Sequence, residues 1–226
     1  GRKAIIYNRL WRPIADGRMK ARAPLTESVL EKAFGASRTI VRGVLEYMAA
    51  EGYLAVPPYQ NAHVIAPAPV ETAAALDLLG MAMRHIIGEL ADRSRRISAG
   101  HRKLIALHLE AQEKADKDGD PVAAHLLGIE FLILLAAIHG SALFTDQVAR
   151  TVVLLTLSLQ LYGTFPPPSF YTGFQAGIAR ALLAGRPREA LAEVDAGLDQ
   201  ICGRLRLDGA SFYEEGDLAK LLRMGG

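Results

Sequence analysis

The chain has 226 residues, half of them apolar, with 26 Lys and Arg against 24 Asp and Glu for a net charge of +2. Such a length holds one large domain or two smaller ones, and that apolar share excludes a disordered chain. A single cysteine, Cys202, excludes an internal disulfide. The opening stretch "GRKAIIYNRLW" has no apolar core long enough for a signal peptide, so the cytoplasm is the expected location. The charge is uneven: residues 1–66 carry ten Lys and Arg against five Asp and Glu, and the rest carry sixteen against nineteen.

Taken in chain order, Lys3 to Asp16 spaces Ile6, Leu10 and Ile14 four apart, which predicts a helix with one apolar face and with Pro13 late in it. Thr26 is placed to cap a short helix running to Phe34, with Gly35 at its C-terminal end. Ser37 caps the next, which carries Val41, Val44, Leu45 and Met48 inward and ends before Gly52. Two short helices joined by "FGAS" have the spacing of a helix-turn-helix. Tyr53–Val56 and Ala62–Ile65 then read as strands around a turn rich in Pro, Gln and Asn. A helix-turn-helix followed by a hairpin is a winged helix.

The prolines of "APAPV" make a natural linker, set at residues 67–71 between a winged-helix domain (1–66) and a helical domain (72–226). The latter divides into about six helices, near 70–96, 98–118, 120–139, 142–163, 168–185 and 187–205, with a short terminal helix around 211–224. The expected fold class is mainly α. The greasiest run, Leu126 to Gly140, contains Glu130 and ends in His139 and Gly140, and Val152–Tyr162 is only 11 residues long. A membrane span needs about 20 consecutive apolar residues, so both read as core helices and no membrane partner is expected.

Arg38 and Arg42, four apart, share the helix face opposite Val41 and Leu45, with Ser37 and Thr39 at the same first turn. Arginine forks bind guanine or phosphate through paired hydrogen bonds, and hydroxyls bind phosphate. No nucleophile elbow, P-loop, HExxH or paired-cysteine motif is present, so an enzyme is not expected.

The stretch "LTESVLEKAFGASRTIVRGVLEYMAAEGYLAVPPYQNAHV" resembles the winged-helix domain of the GntR family of bacterial transcription regulators. Leu25, Glu27, Leu30, Phe34, Gly35, Ser37, Arg38, Thr39, Val41, Arg42, Leu45, Glu51, Gly52 and Val64 match the family pattern in order. The helical remainder is similar to the FCD effector domain of the FadR subfamily. This resemblance gives DNA-contact roles to Ser37, Arg38, Thr39 and Arg42. Thr26 and Ser28 at the preceding helix and Gln60, Asn61 and His63 on the wing are the further candidate DNA contacts. Two departures stand out: Gly43 replaces the family's usual Glu, and Gln60-Asn61 replaces the Arg-Gly of the wing tip.

Many FCD domains hold a divalent metal with an Asp and three His. In register with that motif, this chain has Gly128, Leu132, Gln175 and Gly197, so no metal and no other cofactor is expected. The nearby His125, Glu130 and Asp195 are assigned to different helical faces. Loss of four polar ligands is expected to leave a roomier, more apolar pocket holding an effector, lined by those four positions and by Tyr171 and Phe174. Core packing is the other reading of Tyr162, Tyr171 and Phe174.

The resemblance implies a homodimeric repressor that leaves a palindromic double-stranded operator when a small organic acid, aromatic acids included, binds. Two other readings stay open: a constitutive DNA-binding factor whose helical domain serves only dimerisation, and an all-α enzyme acting on a small acid.

Overall fold

The computed structural model describes residues 1–92 and 97–207; the expected terminal helix at 211–224 lies outside them. Helix α1 (Arg2–Ala15) buries Ile6, Leu10 and Ile14, the four-residue stripe seen in the sequence. Pro13 is tolerated because it falls in the last turn. A two-residue strand β1 (Pro24–Leu25) precedes α2 (Glu27–Phe34), which ends where Gly35 turns left-handed at φ 55°. Helix α3 (Arg38–Ala50) follows, burying Val41, Val44, Leu45 and Met48 against α1 and α2. Thr26 and Ser37 hold the N-cap positions of these helices in extended conformation, though neither side chain bonds a free amide.

The wing is shorter than its expected strands. β2 (Leu54–Ala55) and β3 (Ala62–Val64) pair antiparallel, and β3 also pairs with β1, giving the order β1-β3-β2. β1 was not expected, since two residues carry no periodicity and its partner lies nearly forty positions on.

Six helices complete the described chain: α4 (Pro69–Asp92), α5 (Ala99–Lys117), α6 (Pro121–His139), α7 (Ala142–Tyr162), α8 (Pro168–Leu183) and α9 (Pro187–Cys202). Helix α4 begins at Pro69, inside the stretch read as linker, because proline is well suited to a first helical turn. Pro121, Pro168 and Pro187 open α6, α8 and α9 in the same way. At α6 the Asp120 carboxylate also accepts from the amides of Val122 (3.1 Å) and Ala123 (3.0 Å).

By length and composition α6 and α7 are apolar enough to cross a membrane, yet half of each apolar window is buried inside the protein. Helix α6 packs on α4, α5, α7 and α8, with Phe131 and Leu135 fully buried. It is a core helix, apolar all round because it has neighbours all round.

The first part is fastened to the second through the loop after α1. Gln160 on α7 donates Nε2–H to Gly17 O (2.7 Å) and Met19 O (3.4 Å), while its Oε1 accepts from the Ala21 amide (3.1 Å). Nearby, the Tyr162 hydroxyl donates to Pro67 O at 2.8 Å, so this tyrosine serves the connector rather than a pocket.

Candidate functional site

The first candidate site is a concave groove of about 1280 Å³ between the start of α2, the exposed face of α3 and the wing. Thr26, Ser28, Arg38, Arg42, Gln60, Asn61 and His63 line it, and Ser37 and Thr39 are exposed at the first turn of α3. The helix-turn-helix puts the two arginines there because residues four apart share a face. Both are held by carboxylates: Arg38 Nε bonds Glu27 Oε2 at 2.6 Å, and Arg42 Nε bonds Glu46 Oε1 at 3.0 Å. These pairs are largely exposed, so each contributes little to stability. Their effect is to fix where the guanidinium groups point.

Among the groove residues not named from the sequence are Arg22 and Tyr59. Both have left-handed backbones, at φ 65° and 60°, and Tyr59 is fully exposed at the wing tip. Neither residue type signals that conformation, which for a bulky side chain is a true outlier. The prolines before Tyr59 and the Gln60-Asn61 pair after it mark the turn without showing which residue carries the strain.

The second candidate site is a chamber among α4, α6, α7, α8 and α9. Gly128, Leu132, Tyr171 and Phe174 line it, together with Leu79, His125, Thr156 and Leu159. Its volume is about 40 Å³, room for little more than water, whereas ligand pockets span roughly 300–1,000 Å³. The roomier pocket expected from the sequence is therefore not there. A Cβ at Gly128 would stand 2.3 Å from Cδ1 of Tyr171, and one at Gly197 would stand 2.3 Å from Cε2 of Phe174. The glycines admit rings from α8, and the rings occupy the space.

Gln175 and Gly197 are not in the chamber wall. Gln175 is fully buried and donates to Gln112 Oε1 (2.7 Å) and Leu127 O (3.3 Å), and the same carbonyl accepts from His108 Nε2–H (2.9 Å). Gly197 lies beneath Phe174 on a separate surface hollow. Among the described residues no three His, Cys, Asp or Glu gather as a metal site.

His125 is the chamber residue that sequence reasoning set aside. Positions 125, 128 and 132 stand at i, i+3 and i+7, so this imidazole shares the face of Gly128 and Leu132. It is 4% exposed and bonds both the Tyr171 hydroxyl, through Nδ1 at 2.7 Å, and Thr156 Oγ1, through Nε2 at 2.9 Å. Burial pushes its pKa down to about 4, with the Asp16 charge opposing, and burial likewise pushes the Tyr171 phenol up. The ring of Phe165 meets His125 edge-on at 4.7 Å, and its Cζ lies 3.0 Å from the Cβ position of Gly17. The chamber is thus one ring away from the loop that Gln160 fastens.

No family model and no curated protein matches the sequence. Solved structures do match. E. coli McbR/YncC is 16% identical, with a TM-score of 0.77 over 90% of this chain and 96% of that one. A transcriptional regulator GntR from Rhodococcus sp. RHA1 is 18% identical, with a TM-score of 0.73 over 91% and 99%. At such identities the likeness is one of fold, and the chain shares with these regulators a winged helix-turn-helix followed by an all-helical domain.

Proposed function

We propose that this protein is a DNA-binding transcription regulator of the GntR type, in its FadR subfamily, with an FCD-like helical domain. The observation that carries the reading is the groove in which Arg38 and Arg42 stand beside the wing, in a basic N-terminal part. A helix with arginines at its first turns fits the major groove, and a two-fold dimer would present two such helices to a palindromic operator. Homodimerisation, repression and action inside the cell belong to this proposal, as does a helical domain that answers a small molecule. Thr26, Ser28, Ser37, Thr39, Gln60, Asn61 and His63 are the remaining proposed contacts, to which we add Arg22 and Tyr59.

The test is a titration against an operator selected from randomised duplex DNA, repeated at several salt concentrations. Arg38→Ala and Arg42→Ala are expected to weaken binding, and each lost phosphate contact to lower the salt slope by about 0.9. Binding and slope unchanged in both variants would sink the proposal.

The small chamber favours a second reading, in which DNA binding is constitutive and the helical domain only dimerises. A thermal-shift screen of small molecules without a hit, beside intact operator binding, would decide for it.

A further inference from the structure

The chamber has one polar patch in an apolar wall, and its hydrogen bonds have a direction. Thr156 owns a single hydroxyl proton and gives it to Val152 O at 3.0 Å. Its oxygen must then accept from His125, which fixes the proton of the imidazole on Nε2. A lone pair is left at Nδ1, and the Tyr171 hydroxyl donates to it at 2.7 Å. The protein thereby uses its own phenol to satisfy a buried acceptor.

What else would fit there follows from charge. Among the described residues no Lys, Arg, Asp or Glu lines the chamber, and the imidazole is neutral because burial lowers its pKa to about 4. A carboxylate placed there would be desolvated with no cation among the described wall residues to pair with it, a costly arrangement. Two charges act from beyond the wall and oppose each other: that of Asp16 reaches His125 and disfavours an anion, and that of Arg204 reaches the Tyr171 phenol and favours one. The rest of the wall is apolar: Phe170 and Phe174 stack on each other at 7° with centroids 5.7 Å apart, beside Leu132 and Leu159.

Taking the chamber as the effector site, a premise that rests on the function proposed above, we infer that its ligand is a neutral aromatic hydrogen-bond donor of the phenol type. It displaces the ring of Tyr171 and donates to His125 Nδ1 in its place. The organic acid implied by the family resemblance is the wrong chemistry for this lining. The partner of Tyr171 also meets a ring that reaches the DNA-binding part: Phe165 lies against His125 on one side and close to Gly17 on the other. A ligand that takes the place of Tyr171 on His125 is thus two ring contacts from the joint between the two parts, the route by which it would bias their arrangement.

The full chain carrying Tyr171→Ala, which vacates a ring-sized hole, tests this with three probes: 4-methylphenol, toluene and 4-methylbenzoate. Calorimetry at pH 7.5 is expected to rank 4-methylphenol about 2- to 10-fold above toluene, the worth of one buried hydrogen bond. No binding of 4-methylbenzoate is expected. Adding His125→Leu should erase the preference for the phenol over toluene. Equal or tighter binding of 4-methylbenzoate, or a preference that survives His125→Leu, overturns the inference. If Tyr171→Ala does not fold, Tyr171→Leu exposes the same acceptor, and the same ranking is read from thermal shifts.

Operator affinity read on the same samples separates this inference from its premise. If 4-methylphenol binds as ranked and operator affinity does not change, the ligand class stands and ligand-responsive regulation falls. If 4-methylbenzoate binds best and changes operator affinity, regulation stands and the phenol class falls.

Discussion

Carbon Cδ1 of Tyr171 stands 2.3 Å from the place a Cβ on residue 128 would take, so this ring and any side chain at 128 exclude each other. Gly128→Ala is therefore an overpacking change in a closed site. It should lower stability by about 1–3 kcal/mol in denaturant unfolding. In a Tyr171→Leu background the penalty should fall by more than half, because the two positions are in direct contact.

The buried imidazole makes the fold sensitive to acid. His125 titrates near 6.5 when unfolded and at about 4 when folded, so between those values the unfolded chain binds a proton that the folded one refuses. Stability from this group is complete above pH 6.5, declines as the pH falls towards 4, and levels off below. The difference corresponds to about 3 kcal/mol. Denaturant unfolding at pH 7.5 and 4.5 should show a smaller acid loss in His125→Asn than in the parent; equal losses would refute the assignment.

Removing the amide of Gln160 leaves the carbonyls of Gly17 and Met19 and the Ala21 amide without their partner. Gln160→Ala should cost about 1–3 kcal/mol. Hydrogen exchange at the Ala21 amide should quicken by tenfold or more, while exchange inside α6 changes by the global loss alone.

Gly43 sits inside α3, where a Cβ would meet Lys3 Nζ at 3.6 Å, an ordinary contact. Gly43→Ala should stabilise the protein by about 0.5–1 kcal/mol, since glycine carries an entropic penalty in a helix interior. Thermal unfolding measures it, and a loss of stability would show that the position needs its glycine.

How far the sequence could be read depended on where each signal was stored. Helices in both parts were legible because their ends are local: Gly35 turns left-handed after α2, and Asp120-Pro121 starts α6 on short-range chemistry alone. β1 was not legible, since Pro24 and Leu25 become a strand only by meeting His63 and Ala62. In the helical part Gly128 and Gly197 were read as missing ligands that leave space. The bulk that fills it comes from Tyr171 and Phe174 on another helix, and no local pattern reports such compensation. His125 was different: its spacing to Gly128 and Leu132 already placed it on the chamber face.

The joint made by Gln160 has a consequence for interchangeability. It touches only main-chain atoms of residues 17, 19 and 21, so it recognises the path of the loop and is indifferent to its side chains. Gly17 is constrained by its φ of 77° and by the closeness of Phe165, and Met19 and Ala21 pack against the core. A foreign winged helix would meet α4–α9 with the same grip only if it brought a loop of this length, a glycine where the chain leaves α1 and a first helix that packs on α7.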